Sequence, residues 1–212
     1  MLRTPDRFFI RRRLLAALLT SAAPPAIAAA RPVVTILGDS ITAGLGLPAS
    51  EALPAQLAVA LARLGIAAVV RGAGVSGDTA ADGLARLDFS VQADTALCVV
   101  ALGGNDLLQG LDPSATHASL EAIVRRLRAR RIDVVLAGLA APSAVGAGYV
   151  RAFEAIFPQI ARAERVPLYP NLLAGVGASL RQGDGLHPNA AGVKIIAAGL
   201  APLVARALAG RR

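Results

Sequence analysis

The chain of 212 residues has only two histidines, and one of them, His187, follows Asp184 in the run Asp184-Gly185-Leu186-His187-Pro188-Asn189. An imidazole held at Nδ1 by a carboxylate can take a proton from a hydroxyl at Nε2. Ser40 can supply that hydroxyl: it follows an apolar run and a glycine, where a tight turn exposes Oγ. An oxyanion formed on attack needs N–H donors. The Ser40 N–H, the Gly77 N–H with no side chain to block it, and the Asn105 side-chain amide are the candidates. Together these residue types point to nucleophilic acyl transfer by a serine.

Each residue also has an ordinary structural reading. Ser40 could be a helix N-cap, Asp184-Gly185 a turn, Asn105 a cap for the next element, and His187 an isolated surface histidine. Asp39, Asp78 and Asp106 adjoin the candidates and are read as hydrogen-bond acceptors that lock their loops. His117 lies within a helical segment and is assigned no role. The phosphate-binding pattern G-x-x-x-x-G-K-[ST] is absent, and the only lysine is Lys194. One cysteine and two histidines are too few soft ligands for a zinc site, so no metal or cofactor is expected.

Positioning these residues falls to alternating strand and helix signals. Apolar runs of strand length occur at 33–37, 66–70, 95–102 and 132–138, with a weaker one at 167–169. Helical segments lie between and after them, at 51–64, 79–87, 114–130, 149–165 and 189–208. In the third helix Ala118, Ile123, Val124 and Leu127 form an apolar stripe opposite Glu121, Arg125 and Arg128. Such an order predicts an open parallel sheet with helices on both faces, its site outside the carboxyl ends of the strands. The polar blocks stand where the strands end: 38–44, 72–79 and 103–106, with 184–189 just before the last helix.

Composition narrows the class. With 55% hydrophobic and 17% charged residues, intrinsic disorder is excluded. No stretch reaches the roughly 18 uninterrupted apolar residues of a membrane span, which excludes a polytopic membrane protein. Half of the formal net charge of +8 falls in residues 1–30, with five arginines and one acid. The cluster Arg125, Arg126, Arg128, Arg130 and Arg131 reads as a solvated helix end, and 3% aromatics without tryptophan give little to stack on bases, so no nucleic acid partner is expected. Residues 1–30 read as an export signal peptide. Arg11-Arg12-Arg13 precede the apolar run Leu14-Leu15-Ala16-Ala17-Leu18-Leu19, then Pro24-Pro25 and small residues suited to cleavage. A Sec or a twin-arginine route fits. The mature domain is then 31–212, periplasmic or secreted. Cys98, the only cysteine, sits in an apolar stretch and reads as a buried inert thiol.

The blocks GDSITAGLG, GVSGDTAADGLARL, LGGNDLLQG and DGLHPN occur in this order, and the chain resembles the SGNH, or GDSL, hydrolases, whose name lists Ser, Gly, Asn and His. It looks closest to their multifunctional thioesterase I type, which also acts as lysophospholipase and arylesterase. The resemblance covers roughly 32–208. It implies a flavodoxin-like three-layer α/β/α sandwich with a five-stranded parallel sheet. It implies Ser40 as nucleophile, His187 as base then acid, Asp184 as its orienting carboxylate, and Ser40 N–H, Gly77 N–H and Asn105 as oxyanion hole. The segment 142–148 helps shape the acyl groove in relatives but is small and Gly/Ala-rich here, so chain-length preference does not transfer. The expected activity is hydrolysis of aryl esters, acyl-CoA or lysophospholipids through an acyl-enzyme. The expected partners are small-molecule substrates, with transient contact to a lipid surface, and a monomer. A carbohydrate O-acetylesterase on the same scaffold and a non-catalytic periplasmic binding protein are the alternatives. Leu45, Leu47, Leu107, Leu108 and Leu111 are either acyl contacts or core.

Overall fold

The computed structural model describes Met1 and residues 31–210; the expected export segment, apart from Met1, lies outside the described residues. By its own contacts the chain divides into Met1–Ala30 and Arg31–Arg212, and everything below belongs to the second unit.

Its strands are β1 (Val33–Gly38), β2 (Val69–Gly74), β3 (Thr95–Ala101), β4 (Asp133–Ala137) and β5 (Leu168–Tyr169). The helices are α1 (Ser40–Ala43), α2 (Leu53–Arg63), α3 (Ala80–Ala85), α4 (Leu87–Ser90), α5 (Gly104–Leu108), α6 (Pro113–Ala129), α7 (Ala147–Glu164) and α8 (Ala190–Ala209). The five strands pair in the order β2-β1-β3-β4-β5, parallel throughout. In β1 and β3 consecutive residues are buried, as a strand covered on both faces requires. The helices form two packed groups, α2 with α8 and α3 with α6 and α7, which makes the sheet the middle layer of an α/β/α sandwich. Helix α8 is long and apolar enough to cross a membrane, yet Val193, Ile196, Leu200 and Val204 belong to the core.

The register sets the site. Gly38 pairs with Gly74 on one side and Ala101 on the other, so the loops after β1, β2 and β3 leave the sheet side by side. Strand β1 is also where the strand order reverses, the position at which open α/β sheets place their ligands.

The second strand lies later in the chain than the apolar run 66–70 indicates. Its outer half, Arg71-Gly72-Ala73-Gly74, carries little apolar signal because close packing decides it. A Cβ on Gly74 would stand 2.4 Å from the Ala43 backbone nitrogen, and one on Gly72 would stand 2.8 Å from Pro54. Glycine there lets α1 lie against the strand. The helical pattern 79–87 divides at Arg86 into α3 and α4. The arginine cluster of α6 is also not simply solvated. Arg125 and Arg128 each reach Glu164 of α7 at 2.8 Å, and Arg126 and Arg130 pair with Asp88.

Candidate active site

Helix α1 begins directly after β1, with Asp39 as its N-cap: Oδ1 accepts from the Ile41 N–H at 3.1 Å. Ser40 is therefore the first helical residue and not the cap. Its N–H, like any in a first turn, has no intrahelical partner. Ser40 Oγ lies 2.8 Å from His187 Nε2, across 147 residues of sequence.

The histidine is delivered by a clasp between residues 180 and 189. Arg181 and Pro188 form an antiparallel bridge, and the Gln182 N–H donates to the His187 carbonyl at 2.8 Å. Gln182 Nε2 donates to Leu45 and Pro188 carbonyls, tying the clasp to the chain after α1. Asn189 then caps α8, its Oδ1 accepting from the Ala191 and Gly192 N–H groups at 3.1 Å. Within the clasp Asp184 Oδ2 is 2.6 Å from His187 Nδ1, while Oδ1 accepts from the N–H groups of Leu186 at 2.8 Å and His187 at 3.0 Å. Asp184 thus makes a turn and holds the imidazole at once. The His187 ring above all, then the two backbone N–H groups, lowers its carboxyl to about 2. An ionised carboxylate only accepts, so Nδ1 is the donor, and Nε2 of the neutral ring is left to accept from the Ser40 hydroxyl.

Asn105 lies in α5, and its Nδ2 donates one hydrogen to the Asp78 carbonyl at 2.8 Å, leaving the second for another acceptor. Ser40, Asn105 and His187 line one cavity of about 490 Å³. Gly77 does not line it. It stands exposed beside Asp78 with φ +91°, and among the described residues neither its N–H nor that of Ser40 has a hydrogen-bond acceptor. The rest of the cavity is largely apolar, with Ile41, Leu107, Leu108, Leu139, Val145 and Leu172 in its wall. Leu107 and Leu108 are therefore cavity contacts. Leu45 and Leu47 border Ser40 and His187 in a separate shallow cleft, and Leu111 lies outside both.

A GDSL-like lipase/acylhydrolase family model matches residues 36–195. The chain belongs to that family. This GDSL hydrolase is 39% identical over 163 residues to esterase TesA of Pseudomonas aeruginosa, covering 76% of this chain and 81% of that one. It is 38% identical over 165 residues to an Escherichia coli protein named as a thioesterase, protease and lysophospholipase, covering 76% and 78%. The solved structure of AlinE4, an SGNH-hydrolase family esterase, matches with TM-score 0.71 and 41% identity, covering 84% of this chain and 97% of that one. The protein is an enzyme, an SGNH ester hydrolase, and the reading as a non-catalytic binding protein is set aside.

The aspartates beside the motif residues hold the hydrolase's loops. Asp106 is buried, accepting from the Ala80 N–H at 2.8 Å and the Thr116 hydroxyl at 2.9 Å. Asp78 takes Arg86 Nε at 2.5 Å. Burial pushes the Asp39 carboxyl up to about 6, against the opposing Ile41 N–H. Cys98 is buried, its thiol pushed up to about 12 by that burial, and His117 is half-buried on α6.

Two arginines escaped the sequence reading. The Arg86 guanidinium donates to the Gly38 carbonyl at 2.8 Å, the Ala73 carbonyl at 3.0 Å and the Asp78 carboxylate, joining the ends of β1 and β2 to the Gly77 loop. Arg181 lines the cavity itself. Arg86 is part of the second motif block, which was the available signal, but a cation on a helix reads as solvent-facing.

Proposed function

We propose that the protein hydrolyses carboxylic esters and thioesters with apolar acyl chains through an acyl-enzyme on Ser40. The observation that carries this is the hydrogen-bonded line Asp184–His187–Ser40 opening on an apolar cavity. As Ser40 Oγ attacks the carbonyl carbon, its proton passes to His187 Nε2 and the carbonyl π pair moves to oxygen. The Ser40 and Gly77 N–H groups and the uncommitted Asn105 hydrogen take up that charge; one such donor contributes about 3–4 kcal/mol in characterised enzymes. Collapse breaks the C–O or C–S bond, and His187 gives its proton to the leaving alcohol or thiol. Water repeats the sequence on the acyl-enzyme and regenerates Ser40. Asp184 stays ionised throughout and fixes the ring.

The apolar wall favours an acyl chain over the small polar pocket of a carbohydrate deacetylase. Aryl esters, acyl-CoA and lysophospholipids are the substrates, and the enzyme meets the lipids by transient contact as a monomer. Residues 1–30 act as a cleaved export signal and 31–212 as the hydrolase domain, working in the periplasm or outside the cell. The test is hydrolysis of p-nitrophenyl esters from acetyl to palmitoyl, with Ser40→Ala in parallel. Activity that holds or rises with chain length and is lost in the variant supports the reading. Activity confined to acetyl esters replaces it with deacetylation.

A further inference from the structure

Among the residues lining the cavity with Ser40 and His187, Arg181 is the only lysine or arginine. Its Nη1 donates to the carbonyls of Gly185 at 3.2 Å and Leu186 at 3.5 Å. These bonds fix the head of the side chain against the two residues just before His187. They use one of its three nitrogens, and among the described residues no carboxylate pairs with it. Arg71, Arg86, Arg125, Arg126, Arg128 and Arg130 have acid partners, and among the arginines for which no ion pair is found Arg181 is the one that lines this cavity. A half-buried guanidinium that lines a largely apolar cavity and is held by neutral carbonyls only keeps donors and charge for an anion that arrives with the substrate.

Its place in the clasp says which end of the substrate that is. The imidazole that takes the Ser40 proton must deliver it to the departing oxygen or sulfur, so the leaving group occupies the His187 side of the cavity. The acyl chain then runs along the apolar wall formed by Leu107, Leu108, Leu139 and Val145. Arg181, attached to Gly185 and Leu186, stands on the leaving-group side. A planar fork of N–H donors matches phosphate oxygens, and hydrogen bonds between two charged groups are stronger than neutral ones.

We infer that Arg181 recognises a phosphate carried by the leaving group, so that the enzyme selects acyl esters or thioesters of phosphorylated alcohols or thiols over neutral ones. The inference rests on the proposed acyl-enzyme reading and adds to it the residue that reads the leaving group's phosphate and so favours acyl-CoA or lysophospholipid over neutral esters.

The phosphate can belong to a lipid headgroup or to the thiol of an acyl-CoA, and two matched pairs separate them. One pair is decanoylglycerol and its phosphate monoester; the other is the decanoyl thioester of N-acetylcysteamine and decanoyl-CoA. The readout is the ratio of kcat/KM for the phosphorylated over the neutral member, in wild type, Arg181→Gln and Arg181→Lys. The ratio is expected to fall about tenfold or more in Arg181→Gln, through KM, and by less in Arg181→Lys. In the wild type it should shrink as salt is raised. A fall in the lipid pair alone, or the CoA pair alone, names the source. If both members of each pair slow equally, Arg181 only holds the clasp and the inference is wrong; an unaltered ratio with unaltered rates overturns it too. Wild-type protein inert on all four substrates contradicts the esterase reading itself, and the inference with it.

Discussion

Arg86 donates to the carbonyl of Gly38 at 2.8 Å, reaching the end of β1 from which Ser40 departs, 48 residues earlier in the chain. The same guanidinium binds the Asp78 carboxylate, and the Asp78 carbonyl takes Asn105 Nδ2. One cation thus fixes the base of the turn that carries Ser40, the Gly77 loop and the Asn105 amide. Arg86→Gln is expected to lower kcat about 10–100-fold on a short p-nitrophenyl ester with little change in KM, because oxyanion donors act mainly in the transition state. Arg86→Lys should recover part of the loss. Equal losses in kcat and stability in both variants, with KM raised, would mean that the residue serves folding alone.

Asp184 supplies three acceptor contacts within the clasp, and an amide can reproduce only some of them. In Asp184→Asn, an NH₂ turned to His187 favours the tautomer with the proton on Nε2, where it cannot accept from Ser40. The expected fall in kcat is about 10³–10⁴-fold. Because the carboxyl lies near 2, activity of the wild type should show no loss attributable to Asp184 between pH 4 and 9, which a rate profile of Asp184→Asn against wild type over that range can test.

Gly74 faces α1 so closely that a methyl group has nowhere to go: a Cβ would be 2.7 Å from the Asp39 carbonyl oxygen as well as 2.4 Å from the Ala43 nitrogen. Gly74→Ala must push the helix that begins with Ser40. Stability should drop by about 1–3 kcal/mol, with a larger proportional loss of kcat than of folded protein. Unfolding by urea beside active-site titration separates the two effects; an active variant of wild-type stability would refute the close approach.

Asp39 is 5% exposed and its carboxyl sits near 6 in the folded state, raised by burial from an ordinary value of 3.8. Folding therefore favours its protonated form. The contribution is fully present below pH 3.8 and is lost as pH rises through about 6, and over that window it amounts to about 3 kcal/mol. Asp39→Asn keeps an acceptor for the Ile41 N–H but cannot ionise. Its stability relative to wild type should rise between pH 4 and pH 7.5, as read by denaturant unfolding at both values. A constant difference would show that Asp39 does not titrate in this window.

The sheet was legible because buried parallel strands are continuous apolar runs, and 95–102 and 132–138 fall on β3 and β4 almost residue for residue. It blurred at β2, where Gly72 and Gly74 answer to Pro54 and α1 and carry no pattern of their own. Helices α1 and α5 escaped notice since segments of four and five residues show no period. Ser40, Asp184, His187 and Asn105 could be read because chemistry restricts their types and each stands at the mouth of the fold. Arg86 and Arg181 could not, because what distinguishes them is where they point. Pro142 and Val145 of the cavity wall fall in the segment 142–148 that the family resemblance pointed to, although its small, Gly/Ala-rich composition carries no such signal by itself.

The central claim is that Ser40 carries the acyl group, and covalent trapping tests it most directly. The protein should be treated with a p-nitrophenyl alkylphosphonate, digested and read by mass spectrometry, with Ser40→Ala and His187→Ala alongside. One phosphonyl group per chain on the peptide containing Ser40, release of one equivalent of p-nitrophenol in step with loss of esterase activity, and no label on Ser40→Ala is the predicted result. Label on another residue, or inactivated Ser40→Ala protein with the same stoichiometry, would contradict the account.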